Sequence, residues 1–136
     1  MGQLKSGPEY DLFQQYKKRL SHVEIIQLKQ STKEAEEKFF LKHIRESDCI
    51  IGLDEQGKDY ASIPFAQFLA AQLGTYKNIC FLIGGADGLS DGVRQRCHHL
   101  LSFGKLTWPH MLVRGMLMEQ MYRATLILNG HPYHRE

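Results

Sequence analysis

A glycine-rich stretch, Gly84-Gly85-Ala86-Asp87-Gly88, follows an apolar run and precedes a segment that reads as a capped helix. Glycines between a strand and a helix let a ligand approach the main chain closely. Spacing excludes two phosphate-binding loops, because no Gly-Lys-Ser/Thr follows and the G-x-G-x-x-G order of dinucleotide folds is absent. Asp87 argues the same way: an acid inside an anion cradle repels a bare phosphate, whereas a cationic or neutral ligand is tolerated. A tight strand-to-helix turn needing positive φ would use the same glycines, and the stretch alone leaves that purely structural reading equally open.

A second concentration of chemistry lies near the carboxyl terminus. Residues 97–136 hold five of the seven histidines, with Lys105, Arg114, Arg123 and Arg135 against only Glu119 and Glu136. Tyr122 precedes Arg123, and Tyr133 and His134 stand beside Arg135. Guanidinium groups next to aromatic faces suit stacking on unpaired RNA bases and contact with phosphates; the bland alternative is a solvated helix face with a polar tail. No metal is expected. His98 and His99 would diverge by about 100° on a helix, and His131 and His134 lack an evident third ligand. Nor is a covalent nucleophile in view, since no G-x-S-x-G elbow is present and Cys49, Cys80 and Cys97 sit among apolar residues.

These groups need a scaffold, and hydropathy outlines it. Leu12, Phe13, Tyr16 and Leu20 form a helical stripe, and His22 to Leu28 reads as a strand. Thr32 to Glu46, with Phe39, Phe40 and Ile44, reads as a helix; Cys49 to Leu53 reads as a strand buried on both faces. Asp54 to Lys58 has turn chemistry, and Ser62 and Pro64 look like the cap and early proline of a helix bearing Phe65, Phe68, Leu69 and Leu73, closed by Gly74. Asn78 to Ile83 is a second apolar strand, and Ser90 caps a helix bearing Val93, Cys97 and Leu100. A short run, Lys105 to Trp108, meets Pro109, after which Val113, Leu117, Met121, Ala124 and Leu128 mark a last helix ended by Asn129-Gly130. Strands alternating with helices predict a parallel α/β sheet flanked by helices. In such sheets ligands gather beyond the carboxyl ends of strands, here after Leu53, Ile83 and Trp108.

One domain spanning 1–136 is expected from the length, and a chain of 136 residues with 43% hydrophobic content needs no staple. Seventeen Lys and Arg against fifteen Asp and Glu leave +2, too little for capture of nucleic acid by bulk charge. Three cysteines without CxxC spacing suit a reducing, cytoplasmic setting. No apolar run approaches the ~20 residues of a membrane span, and no secretory signal is evident. Met1-Gly2-Gln3-Leu4-Lys5-Ser6 fits the loose myristoylation pattern, but no second membrane signal accompanies it.

Four motifs in order now carry a resemblance: Leu53-Asp54-Glu55-Gln56-Gly57; Leu82-Ile83-Gly84-Gly85-Ala86-Asp87-Gly88-Leu89-Ser90; Leu106-Thr107-Trp108-Pro109-His110; and Tyr122-Arg123-Ala124 with the closing Asn129 to Glu136. From about Ser6 to the last residue the chain resembles the bacterial large-subunit ribosomal RNA pseudouridine N3-methyltransferases, minimal members of the SPOUT class. The resemblance implies a deep trefoil knot in the carboxyl-terminal part, a homodimer, and S-adenosylmethionine bound by the knot loops. By position the cofactor pocket would be Leu53 with Asp54, Gly84 with Gly85, and Gly104, Lys105, Leu106, Thr107, Trp108 and Pro109. The substrate would be a pseudouridine of 23S ribosomal RNA in the ribosome or large subunit.

N3 of a uracil-type ring carries a proton and attacks poorly until that proton leaves, so a base or an imide-stabilising cation is required. The candidates are His110, Arg114, Tyr122, Arg123, His134 and Arg135; of these His134 is expected as proton acceptor and Arg123 and Arg135 for phosphate orientation or imide stabilisation, with His110 a further catalytic candidate and Arg114, Tyr122 and Tyr133 facing RNA. The tail would close over the partner subunit's cofactor. Departures are Ala86-Asp87 for the family's Pro-Glu and Trp108 for an aliphatic residue. The family also opens with a buried strand that this chain lacks at Met1-Gly2-Gln3, so either a sheet short of that member or a native start upstream is expected. The competing readings are a noncatalytic RNA- or ribosome-binding module of the same fold and a small-nucleotide enzyme using the Gly84 loop.

Overall fold

The computed structural model describes residues 32–85 and 88–130, excepting the side chain of His110. The expected helix over Glu9–Leu20, the strand over His22–Leu28, the missing first strand, Ala86-Asp87, and the tail with Tyr133, His134 and Arg135 all lie outside the described residues. The described part runs α1 (Lys33–His43), β1 (Asp48–Lys58), α2 (Ser62–Thr75), β2 (Asn78–Leu82), α3 (Asp91–Arg96), β3 (His99–Leu101) and α4 (His110–Leu128).

Among the described residues the sheet has three strands in the order β2-β1-β3, with both pairings parallel. β1 is central, which is why Cys49, Ile50 and Ile51 form an unbroken apolar run: alternate side chains must leave both faces dry. Cys49 and Ile51 point into a core built with Phe65, Ala66 and Leu69 of α2 and Leu117 and Ala124 of α4. Ile50 points the other way, onto Phe40 of α1, Leu82, Leu89 and Val93 of α3. Burying a side chain such as Ile51 stabilises by about 1.5–3 kcal/mol relative to exposure. The sheet is thus covered on both sides, as the alternation of elements predicts.

Local chemistry sets the ends. Thr32 caps α1 by accepting the Ala35 N–H at 3.2 Å, and Ser90 caps α3 by accepting that of Val93 at 3.2 Å. Glu34 and Glu36 in the first turn of α1, and Lys42 and His43 in the last, complement its dipole. α1 stops at His43 rather than running to Glu46, and Ala61, not Ser62, occupies the cap position of α2.

Three expectations are corrected. The Asp54–Lys58 stretch is not a free turn: β1 continues to Lys58, with a register break in which both Leu53 and Lys58 pair with Leu101. Gly57 permits this return, because a Cβ there would lie 2.5 Å from the Leu100 carbonyl carbon. Leu100 belongs to β3, not to the helix of Val93, because α3 ends at Arg96. The chain turns there to pair with the free side of β1: the His98 N–H donates to the Ile50 carbonyl at 2.8 Å, and the Ile50 N–H donates back to His98 Nδ1 at 2.9 Å. An edge that can gain ladder bonds outweighs helical periodicity in a six-residue helix. Lys105–Trp108, in turn, is loop.

Candidate active site

All three strands run parallel, so their carboxyl ends share one rim, and a cleft of roughly 360 Å3 opens there. Its walls come from three segments far apart in sequence: Leu53, Asp54, Glu55 and Gln56 after β1; Ile83, Gly84, Gly85, Gly88 and Leu89 after β2; and Leu101 to Gly104 with Leu106, Thr107 and Trp108 after β3. Val113, in the first turn of α4, closes the floor, and Lys33, Asp91 and Arg94 reach in from α1 and α3.

Each wall is tied down. In the glycine loop the Gly88 N–H donates to the Gly85 carbonyl at 3.0 Å and Gly88 has φ +75°. At Gly84 a Cβ would come within 2.7 Å of the Gly88 carbonyl carbon. The tight turn itself therefore accounts for Gly84 and Gly88, and the backbone that turn exposes forms the wall. From α1, Glu36 accepts the Gly85 N–H at 3.4 Å and Glu37 accepts the Ser90 hydroxyl at 2.8 Å, holding both ends of the loop. Gly104, at φ +115°, lets the third segment turn back: the Ser102 hydroxyl accepts the Gly104 N–H at 3.0 Å. The Trp108 indole N–H donates to the Phe103 carbonyl at 3.2 Å, fixing a ring that stays 40% exposed.

The first and third walls are linked by Thr107, whose hydroxyl donates to Glu55 Oε2 at 2.7 Å. The first wall is joined to α3 by Arg94, whose Nε lies 3.2 Å from Asp54 Oδ2 and whose Nη2 donates to Gln56 at 3.2 Å. Glu55, Gln56 and Arg94 were not singled out from the sequence. The Leu53–Gly57 motif marks the first two, whereas nothing in a six-residue helix signals which face Arg94 takes.

Of the ten residues expected at a cofactor, Leu53, Asp54, Gly84, Gly85, Gly104, Leu106, Thr107 and Trp108 line this cleft; Lys105 and Pro109 do not, and Pro109 takes the cap position of α4. His110 starts α4 beside the cleft. Arg114, expected on an RNA-facing patch, is instead 4% exposed, and loss of water pushes its guanidinium below its ordinary value. Arg114 is not among the residues that line the cleft. Tyr122 and Arg123 are half-buried further along α4, and Arg123 Nε donates to Glu119 at 2.9 Å. Ten residues separate Arg123 from Val113, roughly 15 Å along the helix at 1.5 Å per residue. Within one chain, the cleft and Arg123 therefore do not meet.

Leu53, Ile83, Leu101, Phe103, Leu106 and Trp108 offer apolar and aromatic surface beside main-chain groups, and the volume lies in the range of small-molecule sites. Among the described residues no group of His, Cys, Asp and Glu could hold a metal ion, and no helix is long and apolar enough to cross a membrane. Cys80 is no nucleophile: burial, with Asp48 and Cys97 adding to it, pushes its thiol up to about 11.

Comparison with known proteins adds the following. Residues 1–134 match the family model described as "Predicted SPOUT methyltransferase". A protein of Paramagnetospirillum magneticum named Ribosomal RNA large subunit methyltransferase H is 45% identical over 150 residues, covering 99% of this chain and 95% of that one. Proteins of the same name from Rhodospirillum centenum and Gluconacetobacter diazotrophicus are 43% and 41% identical, each covering 99% of this chain and 95% and 93% of their own.

Proposed function

The chain belongs to the SPOUT methyltransferase family, and on that premise we propose that it methylates large-subunit ribosomal RNA from S-adenosylmethionine, at N3 of a pseudouridine in 23S RNA. The observation that carries this reading is the convergence of Leu53-Asp54, Gly84-Gly85 and Gly104 to Trp108 on one cleft at the carboxyl ends of the strands. The resemblance had placed those segments in one pocket, and their residues line one cleft, apart from Lys105.

Leu53, the glycine loop and the Leu106–Trp108 segment would hold the donor's nucleoside, and Asp54 would lie near its positive charge. When bound, the donor supplies a methyl group on a sulfonium sulfur, an electrophile that needs no metal. For N3 to accept that methyl group, its proton would have to pass to a base of the protein. His134 is the proposed acceptor, with His110 a second candidate, and Arg123 and Arg135 would stabilise the imide or hold phosphate. Tyr122 and Tyr133 would pack against bases.

The distance between Arg123 and the cleft supports a site completed by a second subunit. We assign the tail of one protomer to the cleft of its partner in a homodimer, with the family's trefoil knot forming the part from β3 onward. Charge supports a particle rather than naked RNA as substrate, since a net +2 provides few phosphate contacts. The site of action would then be the ribosome-bearing cytoplasm.

The test is mass mapping of 23S RNA from cells with and without the protein, paired with methyl transfer to purified ribosomes. An N3-methylated pseudouridine that disappears with the protein and returns on its addition is expected; an unchanged modification map would refute the reading. Mixing a subunit lacking residues 133–136 with one carrying Gly84→Ala should restore part of the activity if the site is composite.

A further inference from the structure

Among the described residues, five ionisable side chains line the cleft: Lys33 and Arg94 against Asp54, Glu55 and Asp91. One pair is built as a unit. Besides the 3.2 Å contact with Arg94, Asp54 accepts the Gln56 N–H on its other oxygen at 2.8 Å, so both carboxylate oxygens are engaged. The Asp54 side chain is 12% exposed and that of Arg94 32%, which places the pair where water screens it only in part. Arg94 cancels a carboxylate that would otherwise stand alone, and among the described residues three carboxylates against two cations make the lining weakly negative.

That balance bears on the ligand, because methyl transfer changes the ligand's charge: the sulfur is positive before transfer and neutral after. A negative cleft favours the first state over the second, and each lining charge added or removed changes that preference by a Coulombic increment. Resting on the methyl-donor reading above, we propose that the Arg94–Asp54 pair sets the charge of the cleft and thereby how strongly the protein prefers the sulfonium donor over its neutral product. Arg94 restrains the preference for the cationic donor and Asp54 keeps that preference from inverting, so the two act as opposing specificity determinants.

The experiment is calorimetry on the full-length protein with S-adenosylmethionine and, separately, S-adenosylhomocysteine; the quantity read is the ratio of the two affinities. Arg94→Gln should shift that ratio toward the donor by roughly three- to tenfold, and Asp54→Asn should shift it toward the product by a similar factor. Arg94→Lys, which keeps the charge, should leave it within about twofold of wild type, and both shifts should shrink at about 1 M salt. Damage to the fold would weaken both ligands together, so a ratio that moves in opposite directions in the two variants reports charge and not folding, and each variant's melting temperature is checked against wild type first. An unchanged ratio in both charge-removing variants, or shifts in the same direction, would overturn the proposal. A wild-type protein that takes up neither ligand would instead overturn the methyl-donor reading on which it rests.

Discussion

Replacing Gly84 by alanine tests the geometry of the cleft most directly. The added Cβ would meet the Gly88 carbonyl carbon at 2.7 Å, its oxygen at 2.8 Å and the Leu89 nitrogen at 3.0 Å. All three are backbone atoms, so no rotamer change relieves them. To reach even a tight contact of 3.4 Å, the Gly88–Leu89 segment must retreat by about 0.7 Å. Leu89 is 5% exposed and packs with Ile50 and Val93, so the retreat is transmitted to the core on that face of the sheet. Overpacking of this kind costs about 1–3 kcal/mol, which corresponds to a melting point lowered by roughly 3–12 °C for a domain of this size. Because the same loop is a wall of the cleft, S-adenosylhomocysteine should bind at least about tenfold more weakly, a loss of ~1.4 kcal/mol. Gly74→Ala is the matched control: nothing lies within 4 Å of its added Cβ, and it stands in α2, so it should be neutral or stabilise by up to about 1 kcal/mol and leave binding unchanged. Differential scanning calorimetry and ligand titration on both variants decide the matter. If Gly84→Ala melts and binds as the wild type does, the loop is not packed as described and the cleft argument fails.

Deleting Tyr133 to Glu136 should abolish methylation while binding of S-adenosylhomocysteine persists; an active truncation would remove the tail from the mechanism. Thr107→Val breaks the hydrogen bond to Glu55 and should weaken ligand binding a few-fold with little change in melting temperature, since a single exposed bond is worth about 0.5–1.5 kcal/mol. His99 sits edge-on to Phe68, and burial, then His98, lowers its pKa from the ordinary 6.5. Below that value the unfolded chain takes up the proton more readily than the folded one, so stability should fall as pH drops through about 6.5 and below. Melting curves of His99→Gln should show a shallower loss over that window, and a slope identical to wild type would exclude His99 as its source.

The parallel, doubly covered sheet was legible because its cause is local. Cys49 to Leu53 and Ile79 to Ile83 are apolar at successive positions, as strands under helices tend to be; the central β1 is buried from Asp48 to Gly52, whereas β2, at the edge of the described sheet, is only half-buried at Ile79, Cys80 and Phe81. Thr32 and Ser90 precede their helices, although Thr32 had been read as part of one, and the caps bond as such residues should. β3 was missed for a complementary reason. Its three residues have no periodicity of their own, and what makes them a strand is the vacant edge of β1, which includes the Ile50 N–H and carbonyl that His98 satisfies. The extension of β1 past Leu53 had the same origin, since Asp54 to Lys58 has turn composition and returns to Leu101 only because Gly57 can lie against β3.

Residue types and order by themselves determined which segments could carry chemistry: a glycine turn too acidic for phosphate, a basic and aromatic carboxyl terminus, and four ordered motifs that point to one family. Tertiary structure decided what those segments are to each other. It brought three loops into one cleft because parallel strands end on one side, turned Arg114 inward, kept Arg123 about three turns of helix away from Val113, and set Arg94 against Asp54. Periodicity reports how a side chain faces its own element, whereas contact between elements depends on how they pack, and no single segment contains that information.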